Sequence, residues 1–311
     1  MRMSRRIAAL VLALVLALVM ALSLAACQGE EEPESGSKGS SSKGSSQKED
    51  PDWPVQIGDT DIPEAPQKVV SLSPGTTEML FEMGLGSRVV GVSGYCDYPQ
   101  AEVEKRHRCG TVLAPDTKAI REQEADLVVA SAKLTQKDLI WFQQQEIPVL
   151  VLERAETMEE LRQNYLDLAL ALMGRTAGRN HGEGYWEELE GMIREGASGG
   201  GQKAILLRQM GYGMATGDTF EGKLLEELGY VNDAAAYTGW LYDRANVAAL
   251  EPDVIFADLS ITVDQVKQSA IYSPVAAVKN NKVMNVDFTV FERQSPRMFE
   301  TLREMGRFGG E

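Results

Sequence analysis

Histidine is almost absent from this chain: among 311 residues there are two, His107 and His181. A receptor for zinc or manganese needs several imidazole and carboxylate ligands gathered together. Both histidines stand in polar, surface-like sequence, so no metal site is expected. Catalytic signatures are missing as well. Gly91-Val-Ser-Gly94 lacks the spacing of a Gly-x-Ser-x-Gly elbow, no Gly-x-x-x-x-Gly-Lys-Ser/Thr loop occurs, and neither histidine has an evident nucleophile beside it. The chain is not expected to be an enzyme. Positive charge is also short, with 31 Lys and Arg against 46 Asp and Glu. Nucleic acid is therefore not an expected partner, and the acidic excess reads as a solvated surface. Cysteine is limited to Cys27, Cys96 and Cys109.

What is present begins with a leader. Met1-Arg-Met-Ser-Arg-Arg6 is basic and runs into an apolar stretch from Ile7 to Leu24-Ala25-Ala26-Cys27, the pattern of an export signal over residues 1–27. A transmembrane anchor is the alternative, because about 20 apolar residues span a bilayer. Small residues running into a cysteine resemble the lipobox of bacterial lipoproteins. That resemblance implies that Cys27 is acylated and ties an extracytoplasmic protein to the cell membrane. Ser4-Arg5-Arg6 suggests twin-arginine export, but the apolar run favours the general secretory route. Of the sixteen residues from Pro33 to Lys48, thirteen are Ser, Gly or Lys, a composition that cannot bury enough apolar surface to fold. It reads as a disordered tether over residues 28–62, of which Gln28 to Asp52 reaches roughly 25 to 30 Å. Without Arg2, Arg5 and Arg6 of the leader, 28 basic residues face 46 acidic ones, a net charge of −18. Outside the cytoplasm Cys96 and Cys109 can form a disulfide worth about 3 kcal/mol, or remain buried thiols.

About 250 residues remain, enough for two modest lobes. Near-continuous apolar runs at Val69-Val70, Leu127 to Ala130, Val149 to Leu152, Ala204 to Leu207 and Val254 to Ala257 read as parallel strands covered on both faces. Helical patterns such as Thr76 to Met83 and Thr135 to Gln145 lie between them, which predicts an α/β fold. Lys68 to Pro99 reads as strand, Ser-Pro-Gly turn, glycine-closed helix and second strand. Such a unit presents backbone N–H groups at a strand's carboxyl end, where α/β sheets bind ligands.

The two halves echo one another. Met79-Leu-Phe-Glu-Met-Gly84 resembles Leu224-Leu-Glu-Glu-Leu-Gly229, and Glu124-Ala-Asp-Leu-Val-Val-Ala130 resembles Glu251-Pro-Asp-Val-Ile-Phe-Ala257. Between them Thr157 and Glu160 suggest a capping box, Leu161, Tyr165, Leu168 and Leu172 keep helical spacing, and Gly174 offers a stop. A second apolar pattern at Tyr185, Leu189 and Ile193 continues toward the C-terminal half. The expected organisation is two Rossmann-like lobes with mainly parallel sheets, residues 63–156 and 201–311. They are joined through a connecting region, 157–200, by a single long helix that limits motion to a modest clamshell.

From about Gln67 to Arg307 the chain resembles the class III solute-binding proteins of ABC importers, which capture cobalamin, ferric siderophores and haem. The resemblance is nearest to vitamin B12-binding proteins. It is carried by Ser71-Leu-Ser-Pro-x-x-Thr-Glu78, Gly91-Val-Ser-x-Tyr-x-Asp-Tyr-Pro99, the Pro252-Asp253 strand entry and Phe291-Glu-Arg-x-Ser-Pro-Arg297. It implies a ligand held between the lobes and delivery to a membrane permease with ATPase subunits, by a monomer with no resident cofactor. The residues point to the same cleft. Ser73, Pro74 and Gly75 begin a helix, so free N–H groups and a hydroxyl are expected to face the opening. Tyr95 follows the second strand and matches the family's cleft tyrosine. Met210 and Tyr212 follow the first strand of the second lobe, Trp240 and Tyr242 lie in a later loop, and Phe291 and Arg293 complete the set. Aromatic and methionine surfaces with few polar anchors suit a broad, flat ligand such as a corrin or porphyrin.

Some positions depart from the family pattern. Where the family presents a glutamate to the permease on each lobe, this chain has Lys118 and Ala245, with Glu122 or Asp243 nearby as substitutes. Val112, Ser131 and Met214 stand at or near cleft positions that are aromatic in cobalamin-binding relatives. Lys133 is placed to meet a carboxylate of haem or a siderophore, or else is a solvated lysine. A haem or ferric-siderophore receptor, for which a single axial Tyr, Met or His suffices with haem, is thus one alternative. A sensor or scavenger uncoupled from transport is the other.

Overall fold

The computed structural model describes residues 52–210, 213–240 and 244–310. The leader with Cys27, residues 28–51, Tyr212, Tyr242 and Asp243 lie outside the described residues. Residues Glu49–Glu311 form one compact unit, built on two parallel sheets. Among the described residues no helix is long and apolar enough to cross a membrane.

The chain enters through a hairpin, β1 (Val55–Ile57) and β2 (Thr60–Ile62), paired antiparallel. This corrects the tether boundary, because residues 55–62 are folded. Val55 and Ile62 are buried, Thr60 Oγ1 donates to the Val149 carbonyl, and Gly58 takes the positive φ of the tight turn. The apolar alternation of Val55, Ile57 and Ile62 outweighs the polar sequence before it.

The first sheet contains β3 (Val69–Ser71), β4 (Val89–Val92), β5 (His107–Arg108), β8 (Leu127–Ala130) and β9 (Val149–Val151), in the order β5-β4-β3-β8-β9 and wholly parallel. A small hairpin, β6 (Gly110–Thr111) and β7 (Ala114–Pro115), follows β5. Alternate residues of β3 and β8 supply two cores. Val69, Leu127 and Val129 face one, and Val70, Val128 and Ala130 face the other with Ile120 and Phe142. Each such side chain removed from water stabilises the fold by roughly 1.5 to 3 kcal/mol. Cys96 belongs to the first core and Cys109 to the second, so the sheet lies between them. Both are free buried thiols and no disulfide forms; burial pushes the Cys109 thiol up to about 11.

The second sheet contains β10 (Lys203–Leu207), β11 (Val231–Asn232), β12 (Val254–Asp258) and β13 (Val283–Val286), in the order β11-β10-β12-β13 and again parallel. In each sheet the first strand lies between the second and the third. The strand order therefore reverses beside β3 and beside β10, the points at which such sheets bind ligands.

In the first half, α1 (Pro74–Glu82) follows β3, and α2 (Thr117–Glu122) and α3 (Gln136–Gln144) flank β8. The connection is a helical hairpin, α4 (Met158–Met173) and α5 (Arg175–Gly196). The 22 residues of α5, roughly 33 Å long at 1.5 Å per residue, are the long helix that carries the chain across. Thr157 caps α4 as expected, but Glu160 accepts from the N–H of Glu156, one residue earlier than a capping box requires. A Cβ on Gly178 would meet the Ala169 carbonyl at 2.6 Å, so glycine permits the close approach of the two helices. In the second half α6 (Phe220–Glu227) follows β10, and α7 (Arg244–Ala248) precedes β12. Finally α8 (Phe288–Arg293) and α9 (Pro296–Gly310) return to the first half, α8 meeting α1 and α9 packing on α5.

Candidate ligand cleft

The reversal point of the first sheet is tied shut by a serine pair. Ser73 does not cap α1 with its side chain. Its Oγ instead accepts from the N–H and the hydroxyl of Ser131, both at 2.8 Å, joining the ends of β3 and β8. The expectation that the Ser73 hydroxyl faces the opening is therefore corrected: the residue is buried. Pro74 and Gly75 do line the space beyond, a cavity of about 180 Å³ shared with Ser131, Arg154, Glu292 and Arg293. That volume is below the roughly 300 to 1,000 Å³ of small-molecule pockets, so the cavity by itself has no room for a large ligand.

Arg293, at the end of α8, reaches across to the first half. Its Nη1 donates to Glu78 at 2.6 Å, and Nη1 and Nη2 donate to the two oxygens of Asp97 at 2.6 and 3.0 Å. Arg297 donates to the same Glu78 through Nε and Nη2 at 2.9 and 2.8 Å and lies 4.3 Å from the Tyr98 ring centroid. Glu78 sits on the apolar face of α1, with its side chain 1% exposed. The halves touch directly here, since a Cβ on Gly75 would lie 2.2 Å from the Arg293 carbonyl oxygen. The Arg293 hydrogen bonds hold the Asp97 carboxyl below its ordinary range.

A second bridge runs the other way. Arg154, just after β9, pairs with Glu221 in the first turn of α6 and lies over the Phe220 ring. Glu221 is buried, and burial raises its carboxyl above the usual value despite Arg154. Beside it Lys223 Nζ donates to the Glu156 carbonyl at 3.1 Å.

Tyr95 is 72% exposed. Its loop is fixed by Arg108, which donates to the Ser93 and Cys96 carbonyls at 2.9 and 2.8 Å. On the other side Trp240 packs edge-on against Phe288, 5.6 Å between centroids, and under the Arg208 guanidinium, which pairs with Glu292. Met210 is exposed close by in sequence. Phe291, expected in the cleft, is instead fully buried and packs on Phe288. Lys133 faces Glu153 at 3.6 Å in an exposed pair and lines a groove against β9 rather than the cavity. Met214 is core. Of the polar groups that shape the cleft, Asp97, Arg154, Arg208 and Glu221 had not been assigned from sequence. Glu78 and Asp97 carried a signal as members of the family motifs, and Glu78 also as a charge directly before the apolar run Met79-Leu80-Phe81 of a helix.

Of the described cations, the two that line the cavity are both paired, Arg154 with Glu221 and Arg293 with Glu78 and Asp97, and Arg208 and Arg297 beside it pair with Glu292 and Glu78. On the outer surface Lys118 of α2 pairs with Glu122 at 3.8 Å, and Ala245 of α7 is exposed.

A family model for periplasmic binding proteins matches residues 69–289. The chain is 28% identical over 278 residues to an uncharacterized ABC transporter substrate-binding lipoprotein, YvrC, of Bacillus subtilis, covering 81% of this chain and 84% of that one. A shorter match, 46% identical over 44 residues, is to the vitamin B12-binding protein of Yersinia pestis, covering 14% of this chain and 16% of that one. Among solved structures, the periplasmic haem-binding protein HutB of Vibrio cholerae gives a TM-score of 0.67 at 15% identity, covering 78% of this chain and 98% of that one. The vitamin B12-binding protein BtuF of the same bacterium gives 0.61 at 19% identity, covering 78% and 96%. At such identities the structures show the shared fold. Two parallel sheets meeting at a cleft, and a family match that spans both, make the chain a member of the periplasmic binding protein family, an extracytoplasmic family of ligand-binding proteins and not of enzymes.

Proposed function

We propose that this protein captures a corrinoid of the cobalamin type in the cleft between its halves and delivers it to a membrane permease, while tethered to the membrane by lipid on Cys27. The observation that carries the reading is that both described cations lining the cavity, Arg154 and Arg293, are paired with carboxylates. Such a cleft offers no uncommitted positive charge to an anionic haem or ferric siderophore. It suits a large ligand rimmed with neutral amides, which exchange hydrogen bonds with paired groups without burying a net charge. The exposed Tyr95 and the half-buried Trp240 provide flat apolar surface for the macrocycle, and the cavity beside Gly75 provides room for one polar arm. The 44-residue likeness to a vitamin B12-binding protein supports the same choice. Haem is the second reading, favoured by the exposed tyrosine, since one axial oxygen suffices.

Titration with cyanocobalamin, cobinamide, haem and ferric siderophores, followed by absorbance and tryptophan quenching, tests the assignment. Micromolar or tighter binding of a corrinoid is expected, with haem and siderophores weaker. Replacing Trp240 by Ala is expected to weaken corrinoid binding about tenfold through loss of stacking. Tighter binding of haem than of either corrinoid would move the assignment to the second reading.

A further inference from the structure

We infer that Asp97 determines which ligands this cleft accepts, by occupying the solvent side of the Arg293 guanidinium and so excluding ligands that bring carboxylates of their own. This rests on the neutral-ligand reading above and goes further in naming the residue responsible. Arg293 is held from two sides that differ in kind. Glu78 lies inside, 1% exposed, and is shared with Arg297, so it fixes the guanidinium in place. Asp97 lies outside with its side chain 66% exposed, yet it takes both terminal nitrogens in a fork, the strongest geometry available to an arginine. Its loop is anchored by Arg108 and carries the exposed Tyr95 two residues earlier.

A ligand approaching Arg293 from the mouth therefore meets Asp97 first. A carboxylate finds its donors already taken and a like charge beside them, and such repulsion is how interfaces reject wrong partners. An uncharged amide meets no such repulsion and can bond to the free lone pairs of Asp97. Because Glu78 alone still neutralises part of the Arg293 and Arg297 pair, removing the Asp97 charge leaves a fixed guanidinium with two donors directed outward and one net positive charge. Asp97 thus acts as a specificity residue through Arg293, and it is the one carboxylate on that guanidinium exposed enough to be exchanged.

The test uses the full-length lipoprotein in neutral-lipid nanodiscs, with empty discs as the blank, and compares wild type with Asp97→Asn and Asp97→Glu. The probes are haem, haem dimethyl ester and cyanocobalamin. In Asp97→Asn, haem is expected to tighten by about tenfold relative to its ester, with cyanocobalamin changed by less than about threefold. Asp97→Glu, which keeps the charge, is expected to leave the haem-to-ester ratio at the wild-type value. Equal shifts for haem and its ester, or no gain by haem in Asp97→Asn, overturn the inference. The corrinoid reading fails separately: absence of cyanocobalamin binding to wild type, together with a haem gain in Asp97→Asn, removes that reading and leaves the role of Asp97 standing.

Discussion

The two bridges across the cleft look alike and are built differently. Each places a buried carboxylate on the first helix of one half and a cation from the other: Glu78 of α1 receives Arg293 and Arg297, and Glu221 of α6 receives Arg154. At Glu78 the arginines are themselves mostly buried, with side chains 18% and 23% exposed, whereas Arg154 is 44% exposed. Water can therefore replace Glu221 as partner to Arg154 but cannot easily replace Glu78. The first bridge fixes how the halves sit, and the second only trims one side.

Glu78→Ala is expected to break this comparison most severely. It leaves two neighbouring guanidinium groups uncompensated, and removing one partner of a buried ion pair costs about 3 to 5 kcal/mol. Urea unfolding should show that loss. A destabilisation no larger than at Glu221 would make the bridges equivalent. Gly75→Ala comes next, because its Cβ would stand 2.2 Å from the Arg293 carbonyl oxygen, a backbone atom that cannot swing aside. About 1 to 3 kcal/mol of overpacking and a wider cleft by small-angle scattering are expected. Glu221→Gln is expected to cost about 1 kcal/mol by the same unfolding assay, since an amide still accepts from Arg154 and the arginine is half hydrated.

Acid sharpens the same contrast. Asp97 is held below the ordinary aspartate value, so its bridge is at full strength above that value and is lost only as pH falls through the lowered one. Glu221 is held above the ordinary glutamate value by burial. Its contribution is fully present below that ordinary value and is lost as pH rises through the raised one. On acidification Glu221 therefore takes up its proton first, and Arg154 loses an anionic partner while Arg293 keeps Asp97. Carboxyl carbon shifts followed by NMR against pH should titrate in that order; the reverse order would remove the asymmetry.

Much of the fold was legible in the residues. The strands announce themselves as short apolar runs, and the echo of Met79 to Gly84 in Leu224 to Gly229 reflects two helices that both close on a glycine of positive φ. The hairpin at 55–62 was hidden by the low-complexity sequence before it, although Val55, Ile57 and Ile62 alternate as a strand pair should. In the cleft, Pro74, Gly75 and Arg293 were found because a turn and a family motif mark them. Arg154 and Glu221 were not, because their meaning lies in pairing across 67 residues of chain, and an isolated charge in a loop or a first helical turn looks like any solvated one; Asp97 stands in a family motif, but nothing in the sequence pairs it with Arg293, 196 residues away. Phe291 erred in the opposite direction, since an aromatic in a motif carries no sign of which way the helix turns it.

If the cavity offers its ligand no uncommitted cation, a carboxylate on the ligand gains nothing from the site that salt could screen. Affinities for haem and haem dimethyl ester measured at low and high salt, from about 20 to 500 mM, isolate that contribution, because screening weakens only the attraction between a carboxylate and a free cation. A haem-to-ester affinity ratio constant to within about twofold is expected. A several-fold fall of that ratio with salt, as an uncommitted cation would produce, contradicts a charge-paired cleft.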